Sequence, residues 1–151
     1  MKPMKMFIVS VLIVVLLSTM ASGAPIVIRY AHHLSTATEI HETAELFSRL
    51  LSEKTNGAIK VQIVPGAQFG GQREIIEGVS FGTIEMGYGE SGLYANWVPM
   101  FGVIGLPFLY QDYDHWIQMA NSPVAKELEE ALRHATGMRI VNWIMGGYRD
   151  I

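Results

Sequence analysis

Several groups of residues in this 151-residue chain have the types and spacing to do chemistry. Residues 82–93, GTIEMGYGESGL, run from a short apolar pattern into a glycine-rich loop that ends in Glu90 and Ser91. His32 and His33 stand together nine residues before the pair His41-Glu42. Gly70-Gly71 precedes a helical pattern, and Arg149 follows a glycine pair and a tyrosine.

The string Gly89-Glu90-Ser91-Gly92 comes near the nucleophile elbow G-x-S-x-G, but the position that needs the last glycine is Leu93. A serine hydrolase also needs a positioned histidine and acid, and His115 and His134 both fall inside predicted helices. Imidazole and carboxylate are ordinary zinc ligands. Adjacent residues at a strand end point in opposite directions, however, so His32 and His33 are not expected to ligate together, and His41 is expected on the wet side of its helix. Neither a metal nor a cofactor is expected. Gly70-Gly71 could offer free backbone N–H groups to an anion, yet it lacks the spacing of a P-loop or dinucleotide fingerprint, so turn-making is its expected role. Trp97, Trp116, Trp143, Phe101 and Phe108 are expected in the core. The guanidinium fork of Arg149 suits a carboxylate; the alternative is a solvated arginine on a loose terminus.

These residues depend on a scaffold that can be read from periodicity. Ile26–Ala31, IVIRYA, is β-branched and almost continuously apolar, as a strand covered on both faces should be. The polar turn after it offers Thr36 and Glu39 at capping-box spacing, with Thr38 as the alternative cap. The next helix has Ile40, Ala44, Phe47, Leu50 and Leu51 on one stripe and Glu45 and Arg49 outside, and Asn56-Gly57 closes it.

Residues 58–64 alternate as a second strand, placed near an edge, before Pro65-Gly66. A second helix turns Ile75, Ile76 and Val79 inward and pairs Arg73 with Glu77 outside; a third strand is predicted over 83–88. Right-handed crossovers on opposite faces give a parallel sheet in the order two-one-three. The loops after strands one and three, around His33 and Glu90, then meet in the crevice at the carboxyl ends of the strands.

Beyond the loop, Pro99, Gly102, Gly105 and Pro107 break an apolar stretch into short strands and turns. A helix is predicted over 112–120. Ser122-Pro123 opens another, with Val124, Leu128, Ala131 and Leu132 buried and Gly137 ending it, and a last strand spans 138–144.

The N-terminus carries Lys2 and Lys5, an apolar run over 6–17 and small residues over 18–24, which is the pattern of a secretory signal peptide over 1–23 cut before Ala24. The apolar run is short for a bilayer span of about 20 residues. There is no cysteine, so an exported chain must be held by its core alone. The net charge is −3, and loss of the leader's two lysines makes the remainder more acidic. Nothing points to nucleic acid or an anionic membrane surface. The sequence stops at GGYRDI after a predicted strand, which reads as the start of a crossover, and the chain is expected to be a fragment of a longer protein.

Taken in order, RYAHHLS, AELFSRLLSEKTNGAIKVQIVPGAQFGG, IIEGVSFGTIEMGYGESG, IGLPFLYQD and the terminal GGYR resemble the N-terminal part of solute-binding proteins of tripartite ATP-independent periplasmic (TRAP) transporters, the DctP-like family. The resemblance implies an α/β fold: 24–146 as the first, periplasmic-binding-protein-like lobe of a two-lobed protein, 147–151 as the start of the hinge or crossover, and a second lobe missing. It implies a monomeric, non-enzymatic periplasmic subunit that captures a dicarboxylate-like or related organic acid and hands it to membrane permease subunits driven by an ion gradient. Motif by motif, His33 falls at the contact position after strand one, Glu90 at a glutamate after strand three, and Arg149 at an arginine at the lobe junction. The family's main carboxylate-holding arginine lies beyond Arg149, in the second lobe. Leu93 stands where sialic-acid-binding relatives carry arginine, which counts against that ligand. The competing readings are an exported α/β enzyme dependent on Ser91 or Glu90, and a metal-binding domain dependent on His33 and His41.

Overall fold

The computed structural model describes residues 24–146. The predicted leader, 1–23, and the predicted hinge start, 147–151, lie outside the described residues, and Arg149 with them.

Strand β1 (Ile26–Ala31) is flanked in parallel by β2 (Ile59–Val64) and β3 (Met86–Gly87). The order β2-β1-β3 is the expected one, with β2 at an edge. The register sets Ile26 opposite Ile59 and Ala31 opposite Val64 on one side, and Ala31 opposite Gly87 on the other. Burial deepens along β1: Ile26 and Val27 are exposed, Tyr30 and Ala31 buried. Only its carboxyl-terminal half is therefore covered on both faces.

β3 is shorter than the predicted 83–88 because a side chain ends its ladder. Glu85 Oε2 accepts from the backbone N–H of Arg29 at 3.0 Å and from its Nε at 2.7 Å, and Arg29 Nη2 donates to the Thr83 carbonyl at 2.9 Å. A carboxylate thus occupies the place where a strand carbonyl would pair.

Helix α1 (Glu39–Lys54) starts at Thr38, not Thr36, and without a side-chain cap: the Thr38 hydroxyl donates to the Ser35 carbonyl instead. Ile40 and Ala44 are buried as expected, but Leu50 is exposed. Asn56 and Gly57 take the positive φ that ends the helix, 49° and 77°. Glu45 and Arg49 do not pair with each other; Glu45 meets His41 and Arg49 meets Glu53.

Helix α2 (Gln72–Ser80) joins the two core clusters. Its Ile75 packs with Ala31, Val64 and Ile84 under the sheet, and its neighbour Ile76 packs with Val98, Phe101, Leu128, Leu132 and Met138.

After β3 come the single turns α3 (Ser91–Tyr94) and α4 (Phe101–Ile104), then α5 (Tyr113–Ala120) and α6 (Pro123–Thr136). The predicted short strands are absent among the described residues between α3 and α5. Asp112 caps α5 by accepting from the His115 N–H at 2.8 Å. Ser122 caps α6, Pro123 opens it, and Gly137 closes it at φ 79°, as the sequence predicts. Its buried stripe is Ala125, Leu128 and Leu132; Val124, in the first turn, is exposed.

Residues 138–144 form no strand. Met138 is buried, Ile140 and Trp143 pack on the Phe101–Leu128–Leu132 cluster, and Trp143 Nε1 donates to Glu129 Oε1 at 2.6 Å. A short apolar run reads alike whether it pairs in a sheet or packs on a helix, and here the helix takes it. Phe101 is core as expected and Trp97 packs on it, but Phe108 is 87% exposed with a positive φ of 61°. Among the described residues no helix is long and apolar enough to cross a membrane.

Candidate functional site

Parallel pairing brings the loops after β1 and β3 to one edge of the sheet, and α2 begins at that edge because it follows β2. Backbone hydrogen bonds stitch the loops together. The Tyr88 N–H donates to the Ala31 carbonyl at 3.0 Å and the Gly66 N–H to the Leu34 carbonyl at 2.9 Å; Ala67 N–H reaches the His32 carbonyl at 3.4 Å.

The alternation expected of adjacent strand-end residues holds. His32 turns under α1, where it is fully buried, while His33 stacks on Tyr88, ring centroids 6.2 Å apart and planes 19° apart. The His33 Nδ1 atom is buried and has no hydrogen-bond partner among the described residues. A buried polar nitrogen in that state is unfavourable.

His41 corrects the sequence reading. It is not on the wet side of α1: only 13% of its side chain is exposed and its Nδ1 lies 3.0 Å from His32 Nε2. Among the described residues no cluster of histidine and carboxylate is arranged to hold a metal.

Glu90 is exposed and precedes α3, with its carbonyl accepting from the Leu93 N–H at 3.1 Å. The glycines of this loop are required by close packing. A Cβ on Gly89 would lie 2.6 Å from Ile76 Cδ1 and 2.8 Å from the Tyr94 hydroxyl, and one on Gly87 2.7 Å from Ile75. Burial, helped by the Tyr88 phenol in both cases and by Tyr30 in the case of Tyr94, pushes the Tyr30 and Tyr94 hydroxyls of the crevice floor up to about 12. Gly146 approaches this floor: a Cβ on it would sit 3.9 Å from the Tyr88 hydroxyl.

Gln72 was not singled out from the sequence. It is the first residue of α2, and its Nε2 is buried without a hydrogen-bond partner among the described residues. The available signal was a polar amide directly after Gly70-Gly71 at a helix start. Those glycines are turn-makers, Gly70 at φ 94°, and Glu74 folds back over them: its Oε2 would lie 2.9 Å from a Cβ on Gly71. A carboxylate of the chain itself fills the space where an anion would sit. The histidines that a hydrolase would need are engaged elsewhere: His115 beside Tyr110 and the Gln111 N–H, His134 beside Glu130.

The loops after β1 and β3 lie at the carboxyl edge of a parallel sheet, the place where open α/β sheets hold their ligands. Residues 30–151 match the family model described as bacterial extracellular solute-binding protein, family 7 (DctP), and the chain belongs to that family. It is 28% identical over 124 residues to the 2,3-diketo-L-gulonate-binding periplasmic protein YiaO of Escherichia coli K12, covering 82% of this chain and 38% of that protein. Among solved structures, a TRAP periplasmic solute-binding protein of Roseobacter denitrificans with bound L-galactonate superposes with a TM-score of 0.70 at 25% identity, over 76% of this chain and 38% of that one. One from Haemophilus influenzae with bound L-gulonate gives 0.67 at 27%, over 72% and 36%. The chain therefore spans well under half the length of these relatives.

Proposed function

We propose that this chain is the first lobe of a periplasmic TRAP solute-binding subunit, and that its crevice forms one wall of a site for an organic acid. The observation that carries this is the family match over residues 30–151, on a lobe whose loops after β1 and β3 are tied together at one sheet edge by the Tyr88 N–H to Ala31 carbonyl hydrogen bond. Family membership and the sugar acids named for the structural neighbours support a small carboxylate with hydroxyl groups or a second carboxylate.

In this reading His33 and Gln72 bind polar groups of the ligand from within, Glu90 contacts a hydroxyl from the loop after β3, and Arg149 pairs with a carboxylate at the lobe junction. The approach of Gly146 to Tyr88 supports the last assignment, since three further residues reach about 10 Å. Binding works by closure: the ligand favours the closed state because both lobes touch it only there. The subunit is exported by a leader cleaved near residue 23, acts as a monomer without turnover, and delivers its ligand to membrane permease subunits.

A single wall leaves the ligand half solvated, so the chain alone binds weakly or not at all. Two experiments test this: sequencing the DNA after codon 151, and calorimetry of the chain with L-gulonate, L-galactonate and succinate. An in-frame second lobe and no detectable heat are expected. Submicromolar binding by the chain alone would overturn the two-wall reading, and hydrolysis of an ester or glycoside dependent on Ser91 would overturn the binding reading.

A further inference from the structure

The residues that stop α1 are also a chemically labile pair. Of the four asparagines in the chain, Asn56, Asn96, Asn121 and Asn142, only Asn56 precedes a glycine; Asn96 and Asn142 precede tryptophan and Asn121 a serine. The backbone nitrogen that follows an asparagine can attack the carboxamide carbon of that side chain. Glycine, with no side chain, hinders the approach least. Asn56 is exposed, so water has access to it.

The fold holds the reacting nitrogen in place. The Gly57 N–H donates to the Ser52 carbonyl at 2.8 Å and the Asn56 N–H to the Glu53 carbonyl at 3.3 Å, the two bonds of a Schellman turn. The Thr55 hydroxyl donates to the Leu51 carbonyl at 2.8 Å and accepts from the Ile59 N–H at 3.1 Å. One side chain thus ties the end of α1 to the start of the edge strand β2. Next to it the Ile26 N–H donates to the Ala58 carbonyl at 2.8 Å, and Ile26 registers with Ile59. Attack requires the Gly57 nitrogen to lose its proton and turn toward the Asn56 side chain. The bond to Ser52 opposes both.

We propose that Asn56 is a self-modification site gated by this turn: intact while α1 and β2 are joined, and deamidated in chains that have opened here. The Gly57 nitrogen bonds to Asn56 Cγ, the side-chain nitrogen leaves with the Gly57 proton as ammonia, and a cyclic imide remains. Water then breaks one of the two C–N bonds of the imide within the ring. Breaking the bond to Cγ gives aspartate. Breaking the bond to the backbone carbonyl gives isoaspartate, whose main chain runs through the side chain and is one carbon longer.

The two products differ in what they do to the fold. Aspartate tolerates the φ of 49° at this position, although its charge lies at the C-terminal end of a helix, where the dipole opposes it. Isoaspartate lengthens the link between the Ser52 carbonyl and the Gly57 N–H, and between Thr55 and Ile59. Both hydrogen bonds across that link lose their geometry, and with them the fastening of β2 to the end of α1. The modification marks a chain that has opened and hinders its return.

The test uses the whole chain without a ligand, so its failure leaves the binding reading untouched. The chain is incubated in mildly alkaline buffer, with and without urea, and its peptides are followed by mass spectrometry. In urea, conversion at Asn56 is expected ahead of the other three asparagines. In native buffer it should be slower by at least about tenfold, because reaction waits on local opening. Thr55→Val, which keeps the shape and removes the hydroxyl, should speed conversion in native buffer and leave the rate in urea unchanged. Equal parent rates with and without urea would overturn the gate, as would an unchanged native rate in Thr55→Val. No conversion of Asn56 in urea would overturn the site. If the variant does not fold, the two parent rates decide.

Discussion

Single atoms decide the chemistry at the crevice. His33 Nδ1 and Gln72 Nε2 are buried nitrogens without a hydrogen-bond partner among the described residues, and in the proposed function the ligand supplies one. In a two-lobed form of the protein that binds a sugar acid, Gln72→Ala should weaken binding by about tenfold to a hundredfold, the range expected for one hydrogen bond to a charged group, measured by calorimetry; an unchanged affinity would remove Gln72 from the site. A second residue-level expectation concerns Glu85. Hydrogen bonds from the Arg29 side chain and backbone hold its carboxyl down at about 2, against the usual 4.5. A depressed carboxylate contributes stability above its unfolded value and loses it as pH falls toward the folded one. Urea unfolding of Glu85→Gln should therefore vary less between pH 4.5 and 2 than the parent does. Of the candidates visible in the sequence, His33 reaches the crevice edge, while His41 turned out to face inward. Strand alternation, a property local to the backbone, separates His32 from His33. The direction of His41 depends on what lies beneath α1, which no local pattern contains.

At the scale of elements, the clearest sequence signals were those with a backbone cause. Ser122-Pro123 and Gly137 bracket α6 because a hydroxyl can take an orphan N–H and glycine tolerates φ 79°. Gly137→Ala is expected to cost about 1–2 kcal/mol from the left-handed conformation alone, with open space around the new Cβ; a chemical denaturation midpoint checks it. Packing signals were less complete. The stripe of α6 was displaced by one residue at its start, with Ala125 buried in place of Val124, because a first turn can meet its support at an angle that the helical period does not specify. Phe101, fully buried and stacked on Trp143, anchors the cluster that holds residues 138–144. Phe101→Ala should lose about 3–5 kcal/mol, and should also release Trp143, visible as a red shift of its fluorescence.

For the whole molecule, the proposed function makes the described residues one side of a protein that works by closure. Several apolar side chains around the short turns, among them Val103, Leu106 and Phe108, face solvent. If the two-lobe reading is right, joining the chain to the remainder encoded downstream should restore carboxylate binding and shield these residues together, as read by hydrogen exchange with and without L-gulonate. Binding without such protection would mean that closure does not involve this face.

The amino-acid sequence alone determined the parallel order β2-β1-β3, the caps of α6, the opposite directions of His32 and His33, and membership of a family whose motifs occur in the same order here. Each of these rests on interactions within a few residues or on the handedness of a crossover, and both are written locally. Tertiary structure decided the rest: the arrest of β3 by Glu85 at Arg29, the use of 138–144 as packing instead of a strand, the burial of His41 against His32, and the exposed Phe108. Those outcomes turn on which surface arrives from elsewhere in the chain to meet a side chain, and such a meeting has no period or spacing by which a sequence could announce it.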